Sequence, residues 1–297
     1  MKITILGGGF GLYGYLPALC NLDNLNIILP QRYQQHFLQR DDIKSFYDQV
    51  EWVKKDEELL EICEGVIIAL PPRQQTICVK KCLGYKHISH FLLEKPVAIT
   101  PHLAIDLITN LKKSGKKFRI AYNFRYTEWG ETLLASLGGI KNIAWNFQAH
   151  HYAKNIQTWK RLHQEGGGAL RFYGIHLIAL LTELGYDTVS YSEININQSN
   201  EAENWEAEIA GVNLVTCSVK LATDSRDTNF LVKDNKNHTY SFLHPFDTAS
   251  TGIASFSDDR IPFLTKLLQD LFYGEKQYYE WYETTNLLWN RIEQKVL

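Results

Sequence analysis

Short apolar runs alternate with amphipathic stretches along the first 122 residues. Ile3-Thr4-Ile5-Leu6 reads as a strand, Tyr13 to Leu22 as a helix, Asn26 to Leu29 as a strand and Gln31 to Gln39 as a helix. Val50 to Val53 and Glu57 to Ile62 repeat the pair. Gly65 to Leu70 is almost continuously apolar, as a strand buried on both faces should be, and Pro71-Pro72 stops it. Gln74 to Leu83 (helix), His90 to Leu93 (strand), Pro101 to Ser114 (helix) and Phe118 to Tyr122 (strand) complete the series. This rhythm predicts right-handed crossovers and a parallel sheet.

The pattern changes after Asn123. A helix over Glu128 to Leu137 precedes a strand near Asn142 to Ala149, and another helix follows the glycines at Gly166. Three strand-like segments come next: Thr188 to Gln198, Asn204 to Leu221 as a hairpin, and Asn229 to Phe242. A helical tail runs from Pro262 to the C-terminus. Strands grouped without intervening helices predict a second, α+β domain with an open, mostly antiparallel sheet. The boundary falls between residues 122 and 123, with no flexible linker, giving domains 1–122 and 123–297.

Composition narrows the classes. The chain has 297 residues, 45% hydrophobic and 22% charged, enough for sizeable cores and against long disorder. A formal net charge of -2 lacks the basic footprint of a nucleic-acid binder. No apolar run reaches membrane-spanning length, and the apolar start is too short for a signal peptide, so a cytoplasmic protein is expected. Five scattered cysteines read as reduced thiols. Cys78 and Cys82 sit four apart on a predicted helix, but no second pair completes a metal site. On a strand, His150 and His151 face opposite ways, and no acid joins them, so no metal is expected.

The first strand runs into Gly7-Gly8-Gly9-Phe10-Gly11-Leu12-Tyr13-Gly14, which opens a helix. Two registers of the dinucleotide fingerprint fit. Gly7-x-Gly9 with Leu12 third keeps Ile3 and Ile5 in strand phase; Gly9-x-Gly11-x-x-Gly14 matches every letter further from the strand. In either, backbone N–H groups approach a pyrophosphate and the helix N-terminus favours its charge. The first domain is therefore read as a Rossmann domain, and the whole chain as α/β. An acid normally follows the second strand to hold the ribose hydroxyls. Here the stretch is Leu29-Pro30-Gln31-Arg32. Arg32 suits a 2′-phosphate, which tips the coenzyme slightly toward NADP and leaves NAD open.

Four further segments carry a resemblance. They are Leu92-Leu93-Glu94-Lys95-Pro96-Val97, Val66-Ile67-Ile68-Ala69-Leu70-Pro71-Pro72, Ala121-Tyr122-Asn123-Phe124-Arg125-Tyr126, and Trp159 followed by Gly166-Gly167-Gly168-Ala169-Leu170 and Gly174-Ile175-His176-Leu177-Ile178. In order and separation the chain resembles the Gfo/Idh/MocA family, the glucose–fructose oxidoreductase and inositol dehydrogenase group, over nearly its whole length. The resemblance implies hydride transfer between nicotinamide and a sugar, cyclitol or related alcohol or carbonyl. It also implies a cleft between the domains and a homo-oligomer, dimer or tetramer.

Lys95 follows a buried-looking strand, and Pro96 biases it toward extended backbone, which places it at the carboxyl edge of the sheet. The resemblance makes it the group on the reacting oxygen and the nicotinamide ribose, and makes His176 the proton exchanger. Gly7, Gly9, Phe10, Gly11, Arg32, Ala69, Pro71, Glu94, Lys95 and Asn123 are expected around the coenzyme. Arg125, Tyr152, Phe172 and Tyr173 are expected around the substrate.

One departure matters. The family's aspartate four residues before the histidine is Phe172 here, on one helix face with His176. Three outcomes stay open. Lys95 and His176 suffice, with Tyr173, His150, His151 or Tyr152 completing a proton relay; the substrate is flatter or more apolar than a sugar; or binding survives without catalysis. The alternatives to a sugar oxidoreductase are thus a non-catalytic dinucleotide- or sugar-binding regulator on this fold, and a bilin-type reductase.

Overall fold

The computed structural model describes residues 1–136, 139–246 and 258–296. In chain order the elements begin with β1 (Lys2–Leu6), α1 (Leu16–Cys20), β2 (Asn26–Pro30), α2 (Gln34–Leu38), β3 (Val50–Val53) and α3 (Asp56–Ile62). Next come β4 (Gly65–Ile68), α4 (Pro72–Leu83), β5 (His90–Leu93), α5 (Pro101–Lys113) and β6 (Lys117–Ile120). Then follow α6 (Glu128–Ser136), β7 (Ile140–Gln148), α7 (His150–Ala153), α8 (Ile175–Glu183), β8 (Tyr186–Ile196) and β9 (Ala202–Gly211). The chain ends with β10 (Cys217–Ala222), β11 (Asp224–Asp234), β12 (Thr239–Phe242), α9 (Ile261–Phe272) and α10 (Tyr279–Gln294). The expected helix end at Leu137 and the last residue, Leu297, lie outside the described residues.

Contacts gather the chain into two units. One holds residues 1–97, 109–126 and the described part of 249–278; the other holds 98–108 and the described parts of 127–248 and 279–297.

In the first unit six strands pair in the order β3-β2-β1-β4-β5-β6, every neighbouring pair parallel. This is the doubly wound Rossmann order, and its direction reverses between β1 and β4, where such sheets bind ligands. All four residues of β4 are buried, as its unbroken apolar run requires. The helix expected over Tyr13 to Leu22 instead opens as a π-turn, Gly11–Tyr15, before α1. Pro17 has no N–H to return to the Tyr13 carbonyl, so the first turn widens.

The second unit carries the sheet β12-β11-β7-β10-β9-β8. Only β7 and β10 run parallel; the other neighbours are antiparallel. The segment expected as one strand over Asn229 to Phe242 is a hairpin. Asp234 Oδ1 accepts the N–H groups of Lys236 and His238, both at 2.8 Å, and Asn237 takes a positive φ of 69°, so the chain reverses between β11 and β12. The expected continuous C-terminal helix is likewise broken, at residues 273–278, between α9 and α10.

His150 and His151 are not on a strand. β7 ends at Gln148, and the N–H groups of Tyr152 and Ala153 both return to the Ala149 carbonyl, at 2.9 and 3.0 Å, winding the single turn α7. The strand argument about which way the two rings face therefore does not apply. Among the described residues no helix is long and apolar enough to cross a membrane.

One core feature of the first unit has no apolar counterpart. Arg119 on β6 is completely buried. Its Nε donates to Asp270 Oδ2 at 2.9 Å and its Nη2 to Asp270 Oδ1 at 3.2 Å and the Lys276 carbonyl at 2.6 Å. The guanidinium lies 4.5 Å from the Tyr278 ring centroid, and the Tyr126 hydroxyl donates to Asp270 Oδ2 at 2.7 Å. This network ties α9 to β6. Removing one partner of a buried pair strands the other charge, at a cost of about 3–5 kcal/mol. Asp270→Ala should therefore lower the unfolding free energy of the first unit, read from urea melts, by an amount in that range. A shift under about 1 kcal/mol, the value of an exposed pair, would show that Arg119 finds another partner.

Candidate active site

The turn after β1 is built by two backbones in contact. Gly7 has φ +137°, and a Cβ there would overlap the Ala69 carbonyl oxygen just past β4. Ala69 is held in place by its N–H, which donates to the Leu6 carbonyl at 2.8 Å. A Cβ on Gly11 would sit 2.7 Å from Ile5 Cγ2, so Gly11 lets the helix approach the strand. A Cβ on Gly9 would meet nothing within 4 Å. The structure thus favours the register that starts at Gly7: a tight-turn glycine, then a glycine facing open space, where a pyrophosphate fits. Gly14, in the other register, is covered by the Phe10 ring.

Phe10 keeps its side chain on its own helix. It packs edge-on to Tyr13 and Tyr15, with centroids 5.3 and 5.1 Å away, and the Arg260 guanidinium lies 4.2 Å over its ring. Its side chain is thus committed to packing within the unit. Pro71 is the N-cap of α4.

At the adenosine end Arg32 pairs with Asp56, the first residue of α3, and lies 4.9 Å over the Tyr33 ring. The Tyr33 hydroxyl accepts the Gly7 N–H at 2.9 Å. Sequence reading missed both Tyr33 and Asp56. Asp56 answers for the acid missing after β2, but from a different strand connection. The Arg32–Asp56 pair is about half exposed on both sides, so it is weak and a phosphate can compete for the arginine.

At the carboxyl edge, Lys95 is 8% exposed and its peptide bond to Pro96 is cis. The Glu94 carboxylate is engaged within the unit: Oε1 accepts the hydroxyl of fully buried Tyr15, and Oε2 accepts the Lys95 N–H at 3.2 Å. Burial, then the Glu94 charge, holds the Tyr15 phenol well above its usual range, so it remains a donor. Asn123 lies in the turn after β6, 4% exposed, and its Oδ1 has no hydrogen-bond partner among the described residues. A buried orphan acceptor at a sheet edge suits a ligand's donor. Arg125 donates to the Tyr278 hydroxyl at 3.2 Å and stacks 4.7 Å from that ring.

In the second unit the predicted substrate residues gather in an aromatic cluster. Trp145 and Phe147, alternate residues of β7, stack with centroids 4.9 Å apart. Tyr173 meets both edge-on and also contacts Phe172, at 4.7 Å, and His151, at 6.2 Å. Phe172 packs against Trp159 as well. Arg161 lies over Tyr152 and forms a buried pair with Glu201 at 2.8 Å. Burial pushes the Tyr152 phenol up to about 12. His176 is 3% exposed on α8, with Phe246 edge-on at 6.0 Å. Residues Ala169–Gly174 form a π-turn, wider than the α-turn behind the expectation that Phe172 and His176 share a face.

Residues 1–122 match the family model described as oxidoreductase family, NAD-binding Rossmann fold. In this stretch the chain is similar to the Gfo/Idh/MocA oxidoreductases and carries their NAD-binding Rossmann fold. It is 25% identical over 272 residues to glucose-6-phosphate 3-dehydrogenase of Bacillus subtilis, covering 82% of this chain and 75% of that one. In fold it is similar to a 3-ketoreductase of Actinomadura kijaniata solved with NADP and TDP-benzene, with TM-score 0.72 and 16% identity over 100% of this chain and 98% of that one. It is also similar to GenD2 of gentamicin A biosynthesis solved with NAD, with TM-score 0.75 and 13% identity over 99% and 93% of the two chains.

Two outcomes are expected. Gly9→Val should leave the thermal midpoint unchanged and weaken NADH or NADPH binding about tenfold or more, because the new side chain occupies only ligand space. Unchanged affinity would place the pyrophosphate elsewhere. The second concerns acid. Burial, then the charges of Lys160, Arg161 and His150, lowers His151 to about 4. Unfolded histidine titrates near about 6.5. As pH falls through that window the unfolded chain takes a proton that the folded one refuses, so stability is lost on acidification. His151→Asn should reduce the fall in urea midpoint between about pH 7 and pH 4.5. An equally steep fall would show that the ring protonates in the fold.

Proposed function

We propose that the protein transfers hydride between a nicotinamide coenzyme and a carbohydrate-like alcohol or carbonyl: a sugar, cyclitol or sugar derivative. The observation that carries this reading lies within one unit. The glycine turn stands where the strand order reverses, and Lys95 leaves the carboxyl edge of the same sheet. When bound, the coenzyme supplies the hydride position. Lys95 donates a hydrogen bond to the reacting oxygen and stabilises the charge that grows there. His176 exchanges the proton of that oxygen. The names of the relatives, a glucose-6-phosphate 3-dehydrogenase and a 3-ketoreductase, support a sugar ring as substrate.

NADP is slightly favoured on account of Arg32, while Asp56, already on that arginine, works against a strong preference over NAD. The same resemblance carries a homo-oligomer, dimer or tetramer, and a cytoplasmic location into the proposal. A second reading has one observation in its favour. Phe172 replaces a carboxylate with an aromatic wall continuous with Tyr173 and Trp159, which suits a flat or apolar ligand, and binding without turnover.

The test follows absorbance at the nicotinamide with a panel of sugars, sugar phosphates, sugar nucleotides and cyclitols. Turnover is expected with at least one, at an ordinary enzymatic rate. Lys95→Ala should abolish that turnover while NADH or NADPH still binds. Full activity in the variant would sink the assignment of Lys95, and silence across the panel with tight dinucleotide binding would favour the regulator.

A further inference from the structure

Buried backbone polar groups need partners, and the chain leaving β5 has run out of them. β5 ends at Leu93, so the carbonyls of Glu94, Pro96 and Val97 lie beyond its ladders with β4 and β6. Gln75 reaches them from α4. Its Nε2 donates to the Glu94 carbonyl at 2.7 Å and, at longer range, to those of Val97 at 3.3 Å and Pro96 at 3.4 Å. Its Oε1 accepts the Glu94 N–H at 2.9 Å. One side chain thus brackets Lys95 from both sides.

Gln75 is completely buried, on the same stripe of α4 as Val79 and Cys82. A primary amide on an apolar stripe carries a desolvation cost that only its hydrogen bonds offset. Apolar packing does not explain its presence; the three carbonyls do. Its donor end faces only acceptors and its acceptor end faces a donor, so neither end is replaceable by an isosteric apolar group.

We propose that Gln75 is a positioning residue for Lys95. Its side-chain amide supplies the donors that the carbonyls beyond Leu93 do not get from the ladders, shares the Glu94 N–H with the Ile68 carbonyl, and fixes the direction in which Lys95 leaves the sheet edge. The proposal rests on the reading of Lys95 as the group on the coenzyme ribose and reacting oxygen. Gln75 acts through Lys95, not on the ligand.

The experiment observes Lys95 directly. Lysine side chains are labelled with 13C at Cε, and the Lys95 signal is assigned by its loss in Lys95→Ala. NADPH and NADH are the probes. In the parent protein the Lys95 signal should move on coenzyme binding. In Gln75→Leu that movement should be lost or sharply reduced, while the NADPH dissociation constant changes less than about threefold. In Gln75→Glu, which keeps the shape, the movement should be absent near about pH 8 and return near about pH 5.5, where a protonated carboxyl donates again. With any panel compound that turns over, kcat should fall about 10- to 100-fold at nearly constant coenzyme KM. A full Lys95 response in both variants would overturn the proposal, whatever their thermal midpoints; Gln75→Glu covers the case in which Gln75→Leu fails to fold. A Lys95 signal indifferent to coenzyme in the parent protein would overturn the reading of Lys95 instead.

Discussion

At the end of β1 the chain turns so closely on the end of β4 that Gly7 has no room for a single carbon beside the Ala69 carbonyl. That contact sets the floor of the nucleotide site. It lets β1 and β4 stay adjacent to their last residues, Leu6 with Ile68. It also turns the next glycine, Gly9, toward open space rather than toward the sheet. Close packing at one glycine and emptiness at the next are two results of one turn. The first costs conformational freedom and the second provides a place for charge.

The elements that depend on periodicity were legible in the sequence, since the parallel sense of the first sheet follows from strand–helix alternation, while its strand order does not. The departures have local causes. A proline in the first turn widens the helix after the glycines. A side chain, Asp234, makes a turn inside a stretch of even strand propensity. Polar residues were the hardest to place. Arg119 sits in a strand pattern that gives no warning of a fully buried guanidinium, because its partner Asp270 is 151 residues away. Its signal was a charge where the pattern asks for an apolar residue. Gln75 gave the same signal on α4, spaced four and seven residues from Val79 and Cys82, and it was overlooked.

The substrate side was read by residue type and found by neighbourhood. Phe172 and Tyr173 lie in one aromatic cluster, which Tyr152 reaches through His151, and Trp145 and Phe147 from β7 supply a stacked wall that the sequence did not single out. A strand offers alternate side chains to one face, so two aromatics two apart become a continuous surface. Such a surface offers dispersion and C–H contacts to a ring, with little charge. Where the resemblance would put a carboxylate, Phe172 stands edge-on to Trp159 and Tyr173. Burial holds the nearby Tyr152 phenol high, so it stays protonated as a donor.

The coenzyme side shows how a sheet edge becomes a chemical edge. Strands end where their hydrogen bonds end, and past half-buried Glu94 the chain continues through buried Lys95, Pro96 and Val97 outside the ladders of β5. Nature of the compensating donor matters more than its mere presence. Water in that place would leave the segment mobile, and a second strand would extend the sheet and bury the lysine. A single amide turns its two N–H groups on three carbonyls, one closely and two at longer range, and returns one acceptor, so the segment is fixed while its outward side stays open. Glu94 then turns inward to Tyr15, and Lys95 is the charged side chain left between two fixed backbone points. Precision of this kind is what stabilising a developing oxyanion requires, since the donor has to be in place before the charge appears.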